Sequence, residues 1–340
     1  MTARARVRGR HAAAALMKTL LWVMAFATAA SAAEPPSEQS VPSARAVHSL
    51  LIDAAYAGDR LVVVGDRGHI LLSDDQGATW RQAQVPSRQL LTAVYFVDAQ
   101  HGWAVGHDAQ ILASRDGGAT WSKQFEDLAR EAPLLDVYFL DTQRGFAVGA
   151  YGALLHTEDG GQHWQDVSER LDNPDQLHLN AIAAIKGRGL FIVGEQGSLY
   201  RSSDGGQQWA RLESPYEGSL FGVLGTATPG TVLVYGLRGN LLRSDDFGDR
   251  WHSVELPTAR GPLAFGLAGG ALLDDGSVVV VGNGGSVLRS RDGGQHFSVH
   301  NRADRQALSA VAGRANGLLL VGQGGVRLTD ADGADQEVQP

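Results

Sequence analysis

Between residues 90 and 123 the chain alternates short apolar runs with polar breaks. "LLTAVYFVD" mixes β-branched and aromatic residues with a period near two, which predicts a strand. "GWAVG", "QILAS" and "TWSKQ" predict three more, separated by turns rich in Gly and Asp. The same order of runs returns down the chain. A 3.6-residue period is absent after residue 33 apart from one turn at "QFEDLAREA" (124–132). A helical repeat needs two amphipathic stretches per unit, and the units leave no room for them.

The most regular polar break is an octapeptide. It reads "SDDQGATW" (73–80), "SRDGGATW" (114–121), "TEDGGQHW" (157–164), "SSDGGQQW" (202–209), "SDDFGDRW" (244–251) and "SRDGGQHF" (290–297), with a degenerate seventh, "DADGADQE", at 330–337. The closing aromatics Trp80, Trp121, Trp164, Trp209, Trp251 and Phe297 are 41 to 46 residues apart. A "VG" pair precedes each octapeptide, with Tyr235-Gly236 in its place in the fifth unit. Seven units of this length, each of four short strands, predict an all-β, seven-bladed β-propeller with four-stranded blades. One such sheet cannot bury its faces alone; seven packed around an axis can.

The octapeptide lies between third and fourth strands. Its Ser/Thr and Asp (Asp75, Asp116, Asp159, Asp204, Asp246, Asp292) are expected to accept main-chain N–H bonds in a tight turn. The glycine two after the Asp supplies a positive φ, and the aromatic plugs the gap between blades. These copies are therefore structural hairpin locks. Blade seven shows three strands before "EVQP", so the stretch near 37–47 is expected to supply its outer strand and close the ring.

The octapeptide resembles the Asp-box, or BNR repeat. The phrase "LTAVYFVDAQHGWAVGHDAQILASRDGGATW" (91–121), returning as "LLDVYFLDTQRGFAVGAYGALLHTEDGGQHW" (134–164), is similar to the photosystem II assembly/stability factor family of seven-bladed propellers. The likeness extends over about 45–333 and to non-photosynthetic bacterial members. It implies a non-catalytic scaffold that binds a protein partner, a membrane-protein complex such as an envelope transporter.

Composition narrows the classes. Cysteine is absent, which removes disulfides and thiolate metal sites. Arg4, Arg6, Arg8, Arg10 and Lys18 precede the apolar run Thr19–Ala30 and the small-residue site Ala30-Ser31-Ala32, the pattern of a cleaved signal peptide over 1–32. The expected organisation is therefore a leader (1–32), a linker with the closing strand (33–46), the propeller (47–333) and a tail (334–340), outside the cytoplasm in the periplasm or secreted. The leader holds five of the 29 basic residues and none of the 37 acidic ones, so the remainder carries −13. That field disfavours nucleic acid and anionic lipid, and no second apolar run is long enough to span a bilayer.

Function is expected on the face opposite the locks, where the repeats differ. Its candidates are Arg67, His107, Tyr151, Glu195 and Arg238 after the "VG" pairs, and Arg88, Arg130, Arg260 and Arg305 in the blade-to-blade connections. No catalytic residue, metal or cofactor is expected: no helical H-x-x-x-H occurs, and "DADG" (330–333) lacks the Glu of a calcium loop. Two alternatives stand beside the scaffold. One is a sialidase-like glycosidase, for which Tyr151 with Glu195 is the only nominable pair. The other is carbohydrate or small-ligand binding in the central channel by Tyr151, Tyr216 and His107.

Overall fold

A computed structural model describes residues 38–259, 261–314 and 317–334. The leader and Arg260 lie outside the described residues. Seven antiparallel sheets follow one another. Their innermost strands are Leu51–Ala57, Leu91–Phe96, Leu134–Phe139, Leu179–Ile185, Leu220–Gly225, Leu267–Leu272 and Leu308–Arg314. Blades one to six have four strands each, paired in chain order from inside to outside; blade seven has three among the described residues. A small hairpin, Pro257–Thr258 with Gly261–Pro262, decorates the connection between blades five and six.

Burial follows from radial position. Second strands such as Gly102–Gly106 and Val278–Gly282 are buried at every residue, since both faces meet a neighbouring blade. That is why these runs are uniformly apolar rather than alternating. Each of seven apolar clusters joins the facing sides of two adjacent blades. The cluster between blades one and seven sets Leu61, Val63 and Leu71 against Ala312, Leu319 and Val321. The ring is closed there by side-chain packing.

The expected closing strand is not formed. Among the described residues 38–50 the regular element is a single 3₁₀ turn, Ala46–His48. The Val47 carbonyl accepts from Val326 N at 3.0 Å, so this turn takes the place of a blade-to-blade connection. Upstream, the chain crosses onto blade one: Ser40 N donates to Val85 O (2.8 Å), and the Gln82 amide clasps Ser40 and Ser43. Pro42 lacks an N–H and would break a ladder with blade seven, while blade one offers partners for the other polar groups.

The Asp-box turns behave as fasteners. In the first copy Ser73 Oγ donates to Asp75 Oδ1 (2.8 Å) and accepts from Gly77 N (2.7 Å); Asp75 accepts from Thr79 N (2.9 Å) and Thr79 Oγ1 (2.6 Å). Gly77 needs its φ of 92° for this loop to close. In three of the four copies where Thr is replaced, the substitute supplies the same bond: His163 to Asp159 (2.6 Å), Arg250 to Asp246 (2.7 Å) and His296 to Asp292 (2.7 Å); in the fourth, Gln208 gives Asp204 its main-chain N–H (3.0 Å). These donors hold Asp75, Asp159 and Asp246 down at about 2, the donors outweighing the modest burial. The aromatics then reach across: Trp209 of blade four meets Phe146 of blade three edge-on, and Trp251 of blade five meets Phe191 of blade four likewise.

An arginine crosses six successive seams to a carbonyl of the next Asp-box. Arg60 donates to Gly117 O (3.0 Å), Arg115 to Gly160 O (2.7 Å), Arg170 to Gly206 O (3.1 Å), Arg201 to Phe247 O (2.9 Å), Arg243 to Gly293 O (3.1 Å), and Arg289 to Ala331 O. Much of the arginine in this chain is thus architectural.

Candidate functional site

The second-to-third turns and the connections share one face. Gly68, in the first of these turns, lies so close to the connection that a Cβ on it would meet Ser87 O at 2.1 Å. Each of the first six turns is a 3₁₀ turn whose middle residue is left-handed: Arg67 (56°), Asp108 (59°), Tyr151 (56°), Gln196 (50°), Arg238 (57°) and Gly284 (66°). Blade seven has Gly324 at 82°. Glycine is the relaxed choice here; a bulky side chain costs roughly 1 kcal/mol. Arg67, Tyr151 and Arg238 occupy these strained tips and point outward.

The nominated residues divide into engaged and free. Arg130 is committed to Asp127 (3.6 Å) and to Asp166. Arg67 lies 3.3 Å from Asp66 and is 79% exposed. Among the described residues Arg88 donates to one main-chain carbonyl, Gln39 O (2.9 Å). Arg238 and Arg305 are exposed and have no carboxylate partner among the described residues. His107 is exposed at the tip of blade two. Tyr151, 61% exposed, stands edge-on to His178 with ring centres 5.0 Å apart. Glu195 accepts from His178 N at 3.1 Å.

Tyr151 and Glu195 therefore meet only through His178, and Arg67, Arg130 and Arg238 sit on blades one, two and five. The convergent arginines and the Tyr–Glu contact of a sialidase centre are not assembled by these residues. Nor do Tyr151, Tyr216 and His107 line the central channel, which is walled by the innermost strands. Among the described residues no three His, Asp or Glu side chains gather to hold a metal ion, and no helix is long and apolar enough to cross a membrane.

Sequence reasoning missed the apolar half of this face. Among the described residues, seven of the nine exposed large hydrophobics lie on it or at the channel mouth: Val41, Leu50, Leu128, Phe221, Leu237 and Phe265, with Tyr151 the one already nominated. Leu237 and Arg238 share a depression on blade five with Tyr216 and Glu217, where Tyr216 Oη donates to Leu237 O at 3.3 Å, and Phe265 lies at the tip of blade six against Gly284. Exposed apolar side chains beside a guanidinium with no carboxylate partner among the described residues are the composition of an interface. Leu237 was readable as a departure, because it stands where the other turns carry polar or small residues.

Comparisons with known proteins agree with this geometry. The profile of the family described as Photosynthesis system II assembly factor YCF48 matches residues 72–133 and 124–254. The curated "Photosystem II stability/assembly factor HCF136, chloroplastic" of Cyanidioschyzon merolae is 42% identical over 62 residues. That stretch is 17% of this chain and 14% of the relative, so the match spans about a seventh of the relative's length. Among solved structures, "YCF48 bound to D1 peptide" is similar with TM-score 0.65 and 19% identity, covering 83% of this chain and 93% of that one. A GH74 xyloglucanase from Xanthomonas campestris is similar at TM-score 0.64 and 16% identity, covering 84% and 53%. At these identities the structural likenesses establish the propeller fold and leave activity open.

Proposed function

The chain belongs to the photosynthesis system II assembly factor YCF48 family, and from that premise we propose that it is a non-catalytic scaffold that binds a segment of a membrane-protein complex. The face that carries the second-to-third turns and connections is the docking surface. One observation carries this reading: that face gathers exposed apolar side chains together with Arg88, Arg238 and Arg305, which no carboxylate among the described residues neutralises. A matching partner segment is amphiphilic, with apolar side chains for the patch around Leu237 and Phe265 and carboxylates for the arginines. The similar structure named as bound to a D1 peptide supports a polypeptide ligand. The basic, apolar and small-residue pattern of 1–32 supports export, so the partner belongs to the cell envelope.

Site-specific photocrosslinking tests this. Benzoyl-phenylalanine placed at Tyr151 or Arg238 is expected to form adducts with an envelope membrane protein. The same probe at Ala119, on the Asp-box rim, is expected to form none. Adducts from Ala119 with none from Tyr151 or Arg238 would place docking on the wrong face.

A further inference from the structure

All seven innermost strands carry a bulge at the same place, between Leu51 and Asp53 in blade one and at the equivalent step in the others. A bulge turns two successive side chains to one side. The channel, about 590 Å³, is therefore ringed twice. Nearer the connection face lie Ile52, Thr92, Leu135, Asn180, Phe221, Ala268 and Ser309; one residue deeper lie Asp53, Ala93, Asp136, Ala181, Gly222, Gly269 and Ala310. Small residues fill the deeper ring except at the two carboxylates.

Asp53 accepts from Ala54 N and, across the seam, from Val94 N, both at 2.8 Å. Asp136 accepts in the same way from Val137 N and Ile182 N, both at 2.8 Å. Each carboxylate oxygen thus keeps one lone-pair direction open. No lysine, arginine or histidine lines the channel among the described residues; its titratable groups are Asp53, Asp136, Tyr235 and Tyr56, whose hydroxyl donates to Gln76 Oε1 (3.4 Å).

Tyr235 supplies an independent sign of a ligand. It replaces the valine of the "VG" pair and reaches the lumen past two glycines. A Cβ on Gly222 would lie 2.3 Å from its ring, and one on Gly270 would lie 2.8 Å from its hydroxyl. The side chain is 3% exposed and lines the channel. The ring is enclosed, while the hydroxyl, which makes no hydrogen bond among the described residues, opens on the lumen and is free to bond what the lumen holds.

We propose that the channel is a binding site for an alkylammonium group, with the cationic head among Asp53, Asp136 and the Tyr235 hydroxyl. The hydrocarbon stem lies toward the mouth, against Ile52, Leu135 and Phe221. An ammonium has three donors and no acceptor, which suits acceptors spread over blades one, three and five. A hard metal ion wants six or more oxygens, and these half-engaged carboxylates provide too few. Enclosure already pushes Asp53 up to about 6, and burial with the Asp53 charge pushes Asp136 up to about 7; a cation in the lumen relieves that cost.

Calorimetric titration of the purified protein with n-pentylammonium tests the site. Binding is expected at about pH 8 and at least tenfold weaker at about pH 5, where both carboxyls hold protons. Tyr235→Phe keeps the ring and breaks no bond within the protein, so it is expected to fold normally and to weaken binding about tenfold. Asp53→Asn with Asp136→Asn is expected to abolish binding; since Asn presents a donor toward Val94 N or Ile182 N, its folding is checked by circular dichroism. Acetyl-lysine methylamide binding more tightly than pentylammonium would assign the head to a polypeptide side chain, and the reverse order to a free amine; both support the site. Equal affinity at the two pH values, equal affinity for 1-pentanol, an unchanged Tyr235→Phe, or calcium binding in place of the amine would each overturn it.

Discussion

The two rims of the ring are built alike and behave oppositely. Both are turns, both are wet, and both carry arginine. On the Asp-box rim Arg60, Arg115, Arg201 and Arg243 are fixed to a carbonyl of the next blade. On the connection rim Arg238 and Arg305 meet no carboxylate among the described residues, and Leu237 stands exposed beside Arg238. The residue type is the same; the difference is the neighbour each guanidinium finds within reach. The Asp-box turns bind the ring together; on the connection rim, where Arg130 is held by Asp127 and Asp166, Arg238 and Arg305 are left unpaired among the described residues.

The sharpest way to break this contrast is to truncate one aromatic on each rim. Trp121 is 7% exposed, lies in the cluster shared by blades one and two, and donates to Gly118 O at 2.9 Å. Trp121→Ala is expected to cost about 3–5 kcal/mol in denaturant unfolding. Tyr151→Ala, which keeps the Cβ of an exposed left-handed tip and loses one edge-on contact with His178, is expected to stay within about 0.5 kcal/mol. A comparable loss at Tyr151 would show that the connection rim is structural too.

A second effect separates the axis from the rim by pH. Asp53 and Asp136 have folded pKa values of about 6 and about 7, above the carboxylate value of 3.8. Between about pH 4 and 7 the folded state holds more protons than the unfolded one, so stability falls as pH rises through that window. Lumen water screens the pair, and about 2 kcal/mol is the expected total. The box aspartates act the other way: with Asp75, Asp159 and Asp246 at about 2, their contribution is lost as pH falls below about 4. Stability measured against pH should therefore peak near pH 4–5, and Asp53→Asn with Asp136→Asn should flatten only the upper limb. An upper limb unaltered by that pair would assign it to other groups.

The smallest effect is the most discriminating. Arg243→Ala removes one seam bond and is expected to cost about 1 kcal/mol with partner binding intact. Arg238→Ala is expected to leave stability unchanged within about 0.5 kcal/mol and to weaken capture of the membrane partner. The opposite assignment of the two losses would reverse the roles of the rims.

Much of this was legible in the chain. The spacing of Trp80, Trp121, Trp164, Trp209, Trp251 and Phe297 sets the number of blades, because each repeat is one sheet that must pack on the next. The Ser–Asp–Gly–aromatic order carries its own turn geometry, since the bonds run within eight residues. Tyr235 was visible as a break in the repeat, but its meaning lay in Gly222 and Gly270, which are far apart in sequence and adjacent around it.

Local order, then, was determined by sequence alone: strand runs, lock turns and blade count all rest on bonds and periods spanning a few residues. Tertiary structure alone decided which arginines are latched and which are free, and where the 38–50 segment lies. It also made a channel of two half-buried carboxylates and a tyrosine. Those outcomes depend on groups brought together from separate blades, and the distance between two side chains some 40 or more residues apart is a property of the closed ring.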